Sequence, residues 1–226
     1  MENRRTSSVV SDRPSVQLIH IRPARPSDAA RSGRLIADAA RQLAGPIFGD
    51  GDSELAERRF CSLFGLAGGL WSFDVVDVAI EDQSIVGLIG HYPRPIPLSR
   101  EVRTFGGALR VYGLMGTAVL FWRLRHLASA RPAGASRAYY VSSLAVSEHA
   151  RGRGIGTTLM QHAHDAARTS GANRIGLEVL VDNTAAIRLY ERYGYEERGR
   201  RLSKGLQRMT GSPGLLYMER AVRDNP

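Results

Sequence analysis

The chain has 226 residues, of which 43 % are apolar and 23 % charged, with a formal charge of +9. That length and apolar content suffice for a core that stands without cross-links, and a lone cysteine, Cys61, excludes an internal disulfide. The positive excess suits a polyphosphate ligand as well as a nucleic acid or a membrane; it is nearly all arginine, Lys204 being the sole lysine, so charge alone selects none of them.

Residues 1–14 are polar, rich in Ser and Arg, and predict a disordered tail without the apolar stretch of a secretory signal. Residues 15–226 read as one domain. The alternation of 16–21 predicts a first strand, closed by Arg22-Pro23. Pro26-Ser27-Asp28 starts a helix to about Leu43, with Ser27 or Asp28 as its cap. A loop over 45–52 leads to a second helix opened by Ser53, in which Phe60, Cys61, Leu63 and Phe64 share an apolar pattern; packing is the plain reading of the cysteine. The apolar runs 75–80 and 85–91 flank Glu81-Asp82-Gln83-Ser84 and predict an antiparallel hairpin.

Pro93, Pro95 and Pro97 stop the sheet and open an irregular insertion, about 93–134, with one helical stretch from about Gly107 to Ala128. Its apolar run from Val111 to Trp122 is shorter than the roughly 20 residues a bilayer needs, so a soluble, cytoplasmic protein without a membrane span is expected. Phe105, Leu114, Met115, Phe121 and Trp122 make the insertion either a wall around an apolar acceptor or a packing or homodimer element. Beyond it come a strand over 139–146, a helix over 154–170 capped by Gly171, and a strand over 175–181. A helix capped by Asn183 or Thr184 runs through Tyr193, and two last strands lie near 195–199 and 215–220. This order describes an α/β fold, one mixed central sheet with helices on both faces.

The chemistry concentrates between Ser143 and Thr157, where a strand runs into a loop with Arg151, Gly152, Arg153, Gly154 and Gly156 and the loop opens into a helix. Glycines let backbone amides approach an anion, and the helix start adds unpaired N–H donors and about half a positive charge. Arg151 and Arg153 add mobile counter-charge, which makes the segment a pyrophosphate cradle. A P-loop would need a lysine before Thr157, and none is present. A dinucleotide fingerprint would need glycine where Thr157 stands, although Glu178 lies near the spacing of a ribose-binding acid.

Arg151-x-x-Gly154-x-Gly156, preceded by Leu144-Ala145-Val146 and followed by Leu159-Met160, resembles the coenzyme A loop of the GCN5-related N-acetyltransferase (GNAT) superfamily. A second block, with Asn183, Ala186, Leu189, Tyr190, Gly194 and Tyr195, resembles that family's Asn-x-x-Ala-x-x-Leu-Tyr-x-x-x-Gly-Phe/Tyr pattern. Together they cover about residues 139–199. The resemblance implies an acetyl-CoA-dependent N-acetyltransferase of GNAT-like fold, with strands splayed at the cofactor. It implies that Leu144, Ala145 and Val146 line the pantetheine arm. The amides from Arg151 through Gly152, Arg153, Gly154, Ile155 and Gly156 to Thr157 would hold the pyrophosphate, and Asn183 would contact the coenzyme. Tyr190 matches the family tyrosine that touches the coenzyme and protonates the leaving thiolate, and a backbone N–H near Val146 would serve the oxyanion. Glu178, in a Leu-Glu-Val triplet, is the candidate base by resemblance to the ribosomal-protein alanine acetyltransferases; a strand glutamate facing solvent or cofactor is the alternative. Residues 138–140, where other members carry a base, hold no carboxylate.

The implied partner is a small-molecule or peptide amine; no nucleic-acid module is apparent. Arg198, Arg200, Arg201, Lys204 and Arg208 would suit an acidic acceptor or a solvated face. The histidines show no metal-ligand spacing, His162 and His164 pointing to different faces of one helix, so no metal is expected. The alternative function is a sensor that binds acetyl-CoA without turnover.

Overall fold

The computed structural model describes residues 19–132 and 138–222, so the expected tail and the end of the insertion lie outside the described residues. The elements are β1 (His20–Pro23), α1 (Ala29–Ala39), a helical turn α2 (Arg41–Leu43), α3 (Ser53–Phe64), β2 (Val76–Glu81), β3 (Ser84–Tyr92), α4 (Leu98–Ser129), β4 (Tyr139–Val146), α5 (Ile155–Thr169), β5 (Arg174–Leu180), α6 (Thr184–Arg192), β6 (Glu196–Leu202), α7 (Lys204–Thr210) and β7 (Gly214–Ala221). Among the described residues, seven strands form one sheet in the order β1-β2-β3-β4-β5-β7-β6, and of their pairings β4–β5 alone is parallel, its crossover being α5. This is the expected mixed α/β sheet.

Each face of the sheet carries its own core. Leu159, Met160, Ala163 and Ala167, one stripe of α5, pack on Ile89, Val141, Ile175 and Leu177, with Ile187 and Tyr190 of α6 against the same cluster. On the opposite face Leu35 of α1 and Phe64 of α3 cover Val78, Leu88, Tyr140 and Ala145.

Several boundaries differ from expectation. A 3-10 turn, Pro26–Asp28, precedes α1, and Asp28 turns back: its carboxylate accepts from the Arg25 backbone N–H at 2.8 Å and pairs with Arg22 at 2.7 Å. Half of the expected 45–52 loop is a π-helical turn, Ala44–Phe48, which buries Ile47 and Phe48. Helix α3 does open at Ser53, and Asp52 caps it by accepting from the amides of Glu54 and Leu55. The insertion is one long helix rather than an irregular segment. It is broken at Gly113, whose φ of 68° and extended ψ interrupt the helical geometry. Ala108 and Leu120 bury one side of α4 against Phe48 and Phe60. The Tyr112 hydroxyl donates to the Phe48 carbonyl at 3.1 Å, and Arg123 pairs with Asp50 at 2.5 Å. The whole helix is long and apolar enough to cross a membrane by length and composition, with 22 % of its most apolar window buried. The estimate from Val111 to Trp122 was therefore too short, because the helix continues on both sides. Leu114 and Met115 are 76 % and 78 % exposed.

Candidate active site

Strand β4 holds the geometry together. Its pairing with β3 runs Gly87↔Val146, Leu88↔Ala145, Ile89↔Leu144 and Gly90↔Ser143, then shifts so that His91 faces Val141. Ser142 is thus one extra residue in β4, a β-bulge, and bulges bend a strand and increase its twist. The side chains record the slip: Tyr139 and Val141 face the α5 core, and after the bulge Leu144 and Val146 face it. Gly90 makes room for the bulge, since a Cβ there would lie 2.6 Å from both the Ser142 and Ser143 hydroxyls. The parallel pairing of β4 with β5 covers Tyr139↔Ile175 to Val141↔Leu177 and stops where the bulge begins. From Ser142 and Glu178 onward the two strands lack paired backbone between them. Peptide groups left unpaired between two strands in this way are an arrangement that an extended ligand completes as an added strand does.

The glycine loop follows on the same strand. The Ser147 amide and hydroxyl both donate to the Val86 carbonyl, at 2.9 and 3.0 Å, pinning the end of β4. Gly152 and Gly154 have φ of 75° and 82°, and a Cβ at either would meet nothing within 4 Å, so the loop backbone stands in open space. Gly154 caps α5 in the left-handed region, and the first helical bond, Thr158 N–H to the Gly154 carbonyl at 3.0 Å, leaves the Ile155, Gly156 and Thr157 amides without helical acceptors. Arg151 folds back to the Val146 carbonyl at 3.2 Å. Arg153 pairs with Glu81 at the end of β2, one contact being 2.9 Å, which holds the Glu81 carboxyl below the usual range. Arg153 is therefore tethered rather than mobile. Open amides, a helix N-terminus and a nearby arginine together fit an anion of pyrophosphate size.

Glu178 sits just past the splay with its side chain 7 % exposed, paired to Arg131 at 2.9 Å. Its Oε1 is buried without a hydrogen-bond partner among the described residues. The insertion thus contributes directly: Arg131, just beyond α4, meets Glu178, while Arg94 stacks at 3.7 Å over the Tyr140 ring. Tyr190 of α6 is half-buried, its ring 6.0 Å from that of Tyr195, and burial pushes its phenol up to about 12. Asn183 caps α6, its side-chain oxygen accepting from the Ala186 amide at 3.2 Å. Ala145 is buried on the face opposite Leu144 and Val146.

Sequence reasoning missed the Arg131 and Arg94 contacts, because the partners are far apart in the chain and neither arginine belongs to a motif. It also missed a cluster on the α5 face of the sheet. The spacing of the histidines predicts no metal-ligand set, yet His162 Nε2 lies 2.7 Å from Asp77 Oδ2, and His91 Nε2 lies 2.8 Å from the same oxygen.

The model of the acetyltransferase (GNAT) family matches residues 38–195. N-alpha-acetyltransferase 30 of Schizosaccharomyces pombe is 45 % identical over 56 residues, 25 % of this chain and 37 % of that protein. Streptothricin acetyltransferase of Streptomyces lavendulae is 41 % identical over 80 residues, 34 % of this chain and 41 % of that one. The match thus spans less than half the length of either relative. Among solved structures, an N-acetyltransferase from Staphylococcus aureus Mu50 superposes with a TM-score of 0.58 at 16 % identity, covering 88 % of this chain and 98 % of that one. Ard1 from Thermoplasma volcanium gives 0.53 at 17 %, covering 91 % and 99 %. These two show the shared fold. The first sequence motif lies on the bulged strand and the glycine loop and the second on α6, and the chain belongs to the GNAT family of acetyltransferases.

Proposed function

We propose that this chain binds acetyl-CoA between β4 and β5 and transfers the acetyl group to a primary amine. The observation that carries this reading is the bulge at Ser142, which parts the two strands on the same strand that runs into the open glycine loop. When bound, acetyl-CoA supplies the activated thioester. The amides of Ile155, Gly156 and Thr157, with the α5 dipole, would hold its pyrophosphate, and Leu144, Ala145 and Val146 would bond the pantetheine through their backbone. Asn183 engages its oxygen in the α6 cap, which leaves its NH2 group to contact the coenzyme.

Two side chains handle protons. Glu178 Oε1, buried and without a partner among the described residues, is the acceptor for the amine proton, while Arg131 holds the other oxygen and orients the carboxylate. A phenol pushed up to about 12 stays protonated at neutral pH, so Tyr190 holds a proton at Oη for the departing thiolate. The names of the two relatives point to small-molecule amines and peptide N-termini as acceptor classes. The test is amine-dependent thiol release from acetyl-CoA over a panel of both classes, in wild type and Glu178→Gln. Release that the substitution abolishes supports the reading. Release that Glu178→Gln leaves unchanged removes Glu178 as base, and tight binding without release on any amine would leave a cofactor-binding module.

A further inference from the structure

We propose that Asp77, His91 and His162 form a binding site for one zinc-class divalent cation, with Tyr139 as its outer partner. The three residues come from β2, β3 and α5, and their Oδ2, Nε2 and Nε2 atoms all lie within 4.8 Å of one another. Two imidazole nitrogens and one carboxylate oxygen are a common protein donor set for Zn2+ that leaves a position open. Zinc bonds of about 2.0–2.1 Å place tetrahedral ligand atoms about 3.3 Å apart. The two O···N separations, 2.7 and 2.8 Å, fall slightly short of this, as expected where the carboxylate takes hydrogen bonds in place of a cation. His162 has 37 % of its side chain exposed and is the ligand able to swing outward, whereas His91 and Asp77, at 11 % and 15 %, are held.

The Tyr139 hydroxyl lies 2.7 Å from His91 Nδ1. With a cation on Nε2, Nδ1–H donates to the Tyr139 oxygen, which fixes the tautomer as outer-shell partners of metal-bound histidines do. Asp77, His91 and Tyr139 also line a cavity of about 400 Å3, which provides an entry path and space for an exchangeable ligand. The cluster lies on the α5 face, while Glu178 contacts Arg131 on the opposite side of the sheet, so the inference does not rest on the acetyl-CoA reading.

The test uses the full chain without a histidine tag, dialysed against chelator and titrated with Zn2+ by calorimetry and with Co2+ by visible absorption. One equivalent should bind, Tm should rise by several degrees, and Co2+ should show the visible bands of four-coordinate nitrogen and oxygen ligation. His162→Gln, the mildest change because that ring is partly exposed, should abolish stoichiometric binding. Tyr139→Phe should weaken it by about 10–100-fold without removing a ligand. His164→Asn, two residues along the same helix, should leave it unchanged. Failure to take up either cation would overturn the proposal, as would uptake that His162→Gln leaves intact.

Discussion

Replacing Gly154 separates the backbone role of the loop from its electrostatic role. Gly154 holds φ 82° and ψ −1° as the cap of α5, and a Cβ there meets no protein atom within 4 Å. Asn and Asp both tolerate the left-handed region, so either should cost about 1 kcal/mol in stability, roughly 2–4 °C in a chain of this size. Asp should be the more stable of the two by about 0.3–1 kcal/mol, because its charge faces the positive end of a helix. Binding should reverse that order. A carboxylate about 5 Å from a phosphate, at an effective dielectric constant of about 20, is repelled by about 3 kcal/mol, or about two decades in Kd. Calorimetry with acetyl-CoA at physiological salt should therefore show Gly154→Asn binding within a few-fold of wild type and Gly154→Asp weaker by about 100-fold. Equal affinities in the two variants, with both folded, would refute the cradle.

Tyr190→Phe should lower turnover by about 100-fold or more while acetyl-CoA affinity holds, and no fall in rate from phenol ionisation is expected below about pH 10; unchanged turnover would remove its role. The Asp28 carboxyl is held below its ordinary value by the hydrogen bond from Arg22, so its stabilisation is complete above about pH 4 and is lost as pH falls through the lower folded value. The urea midpoints of wild type and Asp28→Asn should differ by a constant amount above about pH 5 and converge toward pH 2; a gap that persists in acid would contradict this. Gly33→Ala should destabilise by about 1–3 kcal/mol, since its Cβ would come within 2.5 Å of Cys61 Sγ and 2.7 Å of the Cys61 nitrogen where α1 crosses α3. Wild-type stability in that variant would mean the two helices can part at no cost.

The loop and the strand before it were legible because the signal is local: Tyr139–Val146 is rich in aromatic and β-branched residues, and the glycine loop runs directly into α5. The bulge was not, because Ser142-Ser143 looks like ordinary strand; the residue that reports it is Gly90, on the neighbouring strand. In α4 the stretch from about Gly107 to Ala128 was legible, but the turns from Leu98 to Gly106 were hidden behind the prolines before them; burial of Ala108 and Leu120 keeps the chain helical across its glycines, and Gly113 alone within the helix departs from helical geometry. Helix α7 had both its marks, a Ser203 cap and Gly211 past its end, but they were hidden in a stretch read as a basic cluster. The polar contacts lie beyond any reading of spacing. His91 is 14 residues from Asp77 and His162 is 85, while Arg153 is 72 residues from Glu81.

Amide hydrogen exchange, with and without acetyl-CoA, tests the central claim most directly because it locates the ligand as well as detecting it. The account predicts slowed exchange at residues 142–146, 151–157 and 178–181, with no effect from NAD at the same concentration. Protection elsewhere, or none in the loop at saturating acetyl-CoA, would contradict the placement of the coenzyme between β4 and β5.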